Sequence, residues 1–388
     1  MPSSQTPFRR IASHYAYTPS GLIPRALVTL DAAGTILSVE QCDRVDSHYG
    51  TEFYSGILIP GMVNAHTHLE LSYLRGMIPA GGGFVAFADG LGRVRRSFSA
   101  EDQRAAADFH DARMWAEGVS AVGDISNGDI TFGVKKRSAI HYHTFLELYG
   151  LNTHASSLLP LAEAAREAGI AASVTPHSIY SLNEGAFGEA VGAAANTPLS
   201  VHFMESPAEQ ELFDGRGEMS QWYAGRGFQT DFTAKYAGPA DRIIANIPTD
   251  RKVMLIHNTC ARDEDIERLQ AHFGDNLTWV LCPRSNRYIN GLFPPVDALR
   301  RHGCRIAVGT DSLASNTSLS LVEELKMFGD VPLEEALRWA TLSGAEALGV
   351  DDRCGSLEAG KRPGLVLLEG IDWERMAMLP DARTRRLV

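Results

Sequence analysis

The chain has 388 residues, 44% hydrophobic and 21% charged, which fits an ordinary globular protein and excludes a disordered or fibrous one. Its net charge of −11 provides no basic field for a phosphate backbone, so no nucleic acid is expected as a partner. Five scattered cysteines (Cys42, Cys260, Cys282, Cys304, Cys354) read as reduced thiols and exclude a disulfide framework. Met1 to Arg10 lacks the apolar core of a secretion signal, and no run approaches the ~18 apolar residues of a membrane span. A soluble, cytoplasmic protein with no membrane partner is expected.

In chain order, Leu27-Val28-Thr29-Leu30 and Ile36-Leu37-Ser38-Val39 flank the turn Asp31-Ala32-Ala33-Gly34 and predict a small hairpin. Eight β-rich runs follow: Ile57–Val63, Val119–Ile125, His141–Leu148, Ala171–Thr175, Leu199–Phe203, Val253–Ile256, Leu277–Leu281 and Arg305–Val308. Most are continuously apolar, as strands covered on both faces are. Helical patterns fall between them, at Ala100–Glu117, Pro160–Ala168, Asp263–His272, Val296–His302 and Leu319–Phe328. This rhythm predicts an α/β fold, a TIM-type (β/α)8 barrel over residues 57–350. The alternative, a doubly wound sheet, would carry a glycine-rich nucleotide loop after its first strand, and none is present. Gly364–Leu368 is one more strand, and the two ends, 1–56 and 351–388, are expected to combine into a small β-sandwich domain.

The polar residues fall at strand ends, where a barrel keeps its active groups. His66 and His68 follow the first apolar run, two residues apart, so an extended chain presents both imidazoles to one side. Other runs end in Asp124, Glu147, His177, His202, His257, Cys282 and Asp311. Taken singly, each histidine fits a structural hydrogen bond and Asp311 a helix cap. Taken together, His66, His68, His202, His257 and Asp311 form the donor set of a hard or borderline metal ion.

Six segments carry a resemblance: Pro60–His68, Thr175–Ser181, His202-Phe203-Met204-Glu205, His257-Asn258, Cys282-Pro283-Arg284-Ser285-Asn286 and Gly309-Thr310-Asp311-Ser312. With the closing Gly355–Lys361, they make the chain similar to the amidohydrolase superfamily, in its mononuclear aminohydrolase branch. One departure is Arg362-Pro363-Gly364, where the family usually has an Ala-Asp pair. Two-metal relatives bridge their ions with a carbamylated lysine, and Phe145-Leu146-Glu147-Leu148 offers none, so one ion is expected.

The resemblance implies that His66, His68, His202 and Asp311 hold one divalent ion, zinc first, with iron or manganese as alternatives. Asp311 also orients the attacking water, Glu205 shuttles the proton and His257 donates to developing charge. Such equipment suits hydrolytic deamination of a small molecule with an aminated heterocycle. His177 is expected to touch polar groups of the substrate. Glu70, just after the His-x-His, could bond a sugar hydroxyl or ring nitrogen. The Arg284 guanidinium could form a bidentate pair with a carboxylate or brace a loop. Pro79–Arg96 resembles a lid and Ser206–Asp250 a second wall, which points to a substrate larger than a bare base. The combination is most similar to aminodeoxyfutalosine deaminases of the menaquinone route. The alternatives are S-adenosylhomocysteine, methylthioadenosine or adenosine deaminases and, in another class, cyclic-amide or chloro-triazine hydrolases. The resemblance also implies a homodimer.

Overall fold

The computed structural model describes residues 8–42 and 50–388. Residues 1–7, part of the N-terminal stretch read above, and 43–49 lie outside the described residues. Strands β1 (Phe8–Thr18), β2 (Gly21–Asp31) and β3 (Ile36–Gln41) run antiparallel in succession, the last two forming the expected hairpin. The Asp31 carboxylate closes the turn, accepting the Ala33 and Thr35 N–H groups at 2.9 and 2.8 Å. Strand β4 (Thr51–Pro60) then pairs parallel to β1.

The run Ile57–Val63, expected as one strand, is divided between β4 and β5 (Met62–Thr67). A Cβ on Gly61 would meet Ser120 Oγ at 1.8 Å and the Pro363 carbonyl oxygen at 2.3 Å, so only glycine passes this junction. The remaining strands stand where their apolar runs predict. They are β6 (Val119–Ser126), β7 (His141–Leu148), β8 (Ala171–Pro176), β9 (Leu199–Phe203), β10 (Val253–His257), β11 (Leu277–Leu281) and β12 (Ile306–Val308). Helices Ala100–Ala116, Leu159–Ala168, Asp263–Phe273 and Val296–Arg301 match expectation, whereas the one expected over Leu319–Phe328 shortens to Leu321–Leu325.

Strands β5 to β8 form one parallel four-stranded sheet and β9 to β12 another. Their edges meet at single parallel bridges, Thr67 with Asp311 and Ser178 with His202. The strand order is that expected of a TIM-type barrel, and the two bridges join the sheets at the C-terminal ends of the strands. A Cβ on Gly309 would lie 2.7 Å from the His66 carbonyl oxygen, so glycine lets the chain after β12 press against β5. Alternate residues explain the apolar runs. Met254, Ile256, Val280 and Ala307 join one buried cluster with Val63 and Phe145, while Leu255, Leu277, Trp279 and Leu281 join a second with the helices.

The far end of the chain returns to the first four strands. Strand β13 (Leu365–Asp372) pairs antiparallel with β4, and β14 (Ala377–Arg386) with β13. The expected sandwich of two sheets is corrected: among the described residues both chain ends build one six-stranded sheet, β14-β13-β4-β1-β2-β3. Ile57, Ile59, Val366 and Leu368 pack into the large helix-side core, so the rest of the molecule covers the face a second sheet would cover. Ile11, Leu58, Leu365 and Leu367 fill a smaller core on the other face. No helix of the described residues is long and apolar enough to cross a membrane.

Candidate active site

The last residues of β5, β9 and β10 and the turn after β12 converge on one point. Backbone at three of these ends is left-handed: Met204, His257 and Asp311 have φ of +46°, +76° and +54°. For residues other than glycine each such conformation costs on the order of 1 kcal/mol, held by the surrounding structure. It turns the chain sharply as it leaves the strand.

The side chains brought together are those expected. His68 Nε2 lies 3.3 Å from His202 Nε2, and Asp311 Oδ1 lies 3.5 Å from His68 Nε2 and 3.7 Å from His66 Nε2. One ligand atom each from His66, His68 and His202 falls within a 4.8 Å group, as does one each from His66, His257 and Asp311. Glu205 Oε1 stands 3.7 Å from His257 Nε2, both residues buried. The Asp311 Oδ2 atom accepts the hydroxyls of Ser285 and Ser315, each at 2.6 Å, leaving Oδ1 toward the histidines. His202 Nδ1 bonds the His177 carbonyl oxygen at 2.9 Å and His257 Nδ1 bonds Asn286 Oδ1 at 2.9 Å, so in both rings Nε2 is left for the cluster.

Burial sets the charge states. It lowers His66, His202 and His257 and takes His68 down to about 3, keeping the imidazoles neutral, the form that binds metal. Burial alone raises Asp311, but the imidazoles of His66, His68 and His257 bring it well below the usual carboxylate range. Glu205 moves the other way, held well above that range by burial and then by the Asp311 charge. The two neighbouring carboxyls are thus driven in opposite directions, Asp311 toward the ionised form and Glu205 toward the protonated one, the division of roles acid–base chemistry uses.

A divalent cation fits these residues. Neither ring nitrogen of the fully buried His66 has a hydrogen-bond partner, and an unpaired buried polar atom is costly without a ligand. Three imidazoles and a carboxylate suit zinc, iron or manganese.

The cluster opens into a cavity of about 620 Å³. His177 is in its wall, with Nδ1 held by Ser178 and Ser181 at 3.0 and 2.9 Å. Glu70 is outside the lining: its Oε2 accepts the Asn127 N–H at 3.0 Å, so it supports a wall residue from behind. Arg284 is corrected. Its guanidinium turns to Asn316 and Thr317, at 3.2 and 2.5 Å, and stands 3.8 Å from both Glu323 and Glu324, away from the lining residues. Those partners come from the segment after β12, whose folding back over Arg284 nothing local in the sequence announces.

Other residues in the wall had no expected role. Arg95, at the C-cap of the helix Gly83–Val94, is the one Lys or Arg among the described lining residues. Glu147 presents an Oε1 without a hydrogen-bond partner, 3.5 Å from His202 Nδ1, and burial raises its carboxyl to about 7. The far wall is apolar, built from Phe84, Phe87 and Leu91 of that helix and from Trp222, Tyr223 and Phe228 of the Ser206–Asp250 segment.

Known proteins share both sequence and fold. Residues 57–384 match the amidohydrolase family model. An adenosine deaminase of Helicobacter pylori is 29% identical over 337 residues, covering 82% of this chain and 80% of that protein. A 5-methylthioadenosine/S-adenosylhomocysteine deaminase of Thermoanaerobacter pseudethanolicus is 26% identical, covering 81% and 73%. The crystal structure of Helicobacter pylori aminofutalosine deaminase with methylthio-coformycin superposes with a TM-score of 0.81 at 26% identity, over 93% of this chain and 92% of that one. A zinc-bound adenosine deaminase structure from Xanthomonas campestris shares the fold, with a TM-score of 0.74 at 23% identity over 92% and 84%. With the family model matched across most of its length and the metal-type cluster in place, this chain belongs to the amidohydrolase family and is a hydrolytic deaminase of its aminohydrolase branch.

Proposed function

We propose that the enzyme removes the exocyclic amine of an adenine-type nucleoside bearing a bulky, anionic 5′ substituent, with aminodeoxyfutalosine as preferred substrate. The observation that carries this is the shape and lining of the cavity. One space of about 620 Å³ joins the histidine cluster to an apolar aromatic chamber in which Arg95 is the single Lys or Arg among the described lining residues. A purine fills the cluster end, and an aryl carboxylate would stack in the chamber with its charge on Arg95. That places on Arg95 the role expected of Arg284. The relatives named for adenosine and for 5-methylthioadenosine/S-adenosylhomocysteine support the nucleoside part of this reading.

In this reading the two parallel sheets act as one closed barrel, and His66, His68, His202 and Asp311 hold one divalent ion. When bound, such an ion lowers the pKa of a water molecule toward neutrality. Water adds through its oxygen to the amine-bearing carbon while Asp311 accepts one of its protons. Glu205, protonated beforehand, gives its proton to the adjacent ring nitrogen. The carbon–nitrogen bond then breaks, the amine leaves as ammonia with the proton from Asp311, and the added hydroxyl's proton returns to Glu205. His257, its Nδ1 donating to Asn286 Oδ1, keeps a bare Nε2 that accepts a hydrogen bond from the attacking water and orients it, in place of the donor role the resemblance implied. His177 fixes the purine edge.

An ammonia-release screen over aminodeoxyfutalosine, S-adenosylhomocysteine, methylthioadenosine and adenosine tests the substrate. Fast turnover of S-adenosylhomocysteine with aminodeoxyfutalosine inert would favour the second reading, in which Arg95 pairs with an amino-acid carboxylate. Ring opening or dehalogenation without ammonia would point to the cyclic-amide or triazine class.

A further inference from the structure

We infer that Glu209 is a positioning residue for Glu205, acting through a carboxylate clamp on two successive backbone N–H groups. Glu209 is fully buried, and its Oε2 accepts the Met204 N–H at 2.8 Å and its Oε1 the Glu205 N–H at 2.6 Å. Both bonds fall on the turn that carries Glu205 off β9, where Met204 has a left-handed φ of +46°. Two further bonds hold the same turn: the Met204 carbonyl oxygen accepts the Cys260 N–H at 2.9 Å, and the Glu205 carbonyl oxygen accepts Asn290 Nδ2 at 3.1 Å.

The bland alternative is a helix cap. Ser206 is the N-cap of the helix Pro207–Phe213, with its Oγ accepting the Ala208 N–H at 3.1 Å, and Glu209 occupies the third helical position. In a capping box that residue returns to the N-cap N–H. Here the carboxyl, besides drawing on the Ser206 N–H, reaches past the cap to bond the two residues before it, one of which is Glu205. Among the described residues no Lys or Arg pairs with Glu209, and a buried carboxylate without a cation costs stability. Burial raises the Glu209 carboxyl to about 8, and its two oxygens offer two acceptors to two neighbouring donors. Glutamine would turn an amide donor onto one of the N–H groups. Loss of one bond lets the strained turn relax and moves the Glu205 carboxyl away from the reacting atoms.

This inference rests on Glu205 as the proton shuttle, and the two ideas fail separately. The test measures kcat, KM, metal content and melting temperature for Glu209→Gln and Glu209→Asp, alone and in a Glu205→Gln background. The substrate is aminodeoxyfutalosine, or S-adenosylhomocysteine if that is the compound turned over. Expected for Glu209→Gln is a loss in kcat on the order of 100-fold, KM within about threefold, and metal content unchanged. Glu209→Asp, which keeps the carboxyl but reaches one N–H, loses less. In the Glu205→Gln background neither change lowers residual turnover further, because Glu209 acts through a carboxyl already gone. A wild-type kcat in Glu209→Gln, a loss that multiplies with that of Glu205→Gln, or a loss explained by missing metal or unfolding of both variants would each overturn the inference. Full activity of Glu205→Gln would instead remove the shuttle itself.

Discussion

The two ends of the cavity are built differently. At the strand ends three of the gathered groups are held by side-chain or carbonyl bonds: Asp311 by Ser285 and Ser315, His202 by the His177 carbonyl, His257 by Asn286. At the far end Phe84, Phe87, Leu91 and Phe228 have only packing, and the wall's polar ties are Trp222 Nε1 to Asp89 Oδ1 at 2.9 Å and the Tyr223 hydroxyl to the Tyr180 carbonyl oxygen at 2.6 Å. Phe228 remains 44% exposed, so that wall is thinly backed. The difference separates reaction from recognition: hydrogen bonds fix the atoms that must meet within tenths of an ångström, and adaptable apolar contacts shape what else fits.

The largest effects should come from the strand-end half. Stripping the metal with dipicolinate should abolish ammonia release and lower the melting temperature, and zinc should restore both. Metal analysis before and after decides whether one ion per chain is involved. Glu205→Gln should cut kcat by about 1,000-fold with metal content intact. A Glu205→Gln protein with wild-type turnover would falsify the proton-shuttle assignment. At the far end, Arg95→Ala should raise KM for aminodeoxyfutalosine about tenfold, the scale of one charge-assisted hydrogen bond, and narrow its preference over adenosine. An unchanged preference would mean the substrate's anion is read elsewhere.

The smallest effect lies away from the cavity. His143 bonds Ser173 Oγ at 2.8 Å, and burial lowers its imidazole from 6.5 to about 4. The unfolded chain takes up that proton as pH falls past 6.5, the folded chain only near 4. Its contribution is therefore intact above 6.5 and is lost between the two values. His143→Gln should flatten the fall of melting temperature across that interval without changing kcat at neutral pH.

Much of the strand-end half was legible in the sequence because its signals are local. An apolar run followed by a polar ligand type marks a strand and its end together, and Leu199–Phe203 with His202 and Glu205 shows both at once. At the far end the sequence marked the two segments, Pro79–Arg96 and Ser206–Asp250, but not which of their residues line the cavity. Arg95 sits in a helix with no periodic mark for the residue that will face a ligand. Arg284 looked available because Asn316, Thr317, Glu323 and Glu324, which engage it, lie more than 30 residues onward. Glu147 was visible as a strand end, yet its orientation toward His202 depends on Asn127 from another loop, whose Nδ2 bonds Glu147 Oε2 at 3.0 Å. A small sandwich was expected of the two chain ends; the strand register of β4 against both β1 and β13 makes one sheet of them.

That register ties synthesis to chemistry. Strand β4 leads through Gly61 straight into the segment bearing His66 and His68, and one of its two edges is paired by Leu365–Leu368, synthesised long after it. A nascent or clipped chain lacking β13 and β14 leaves that edge bare and the two imidazoles on a loosened tether. Ion capture should therefore be a late event in maturation, and proteolytic trimming after Gly364 should release the metal before the rest of the molecule melts.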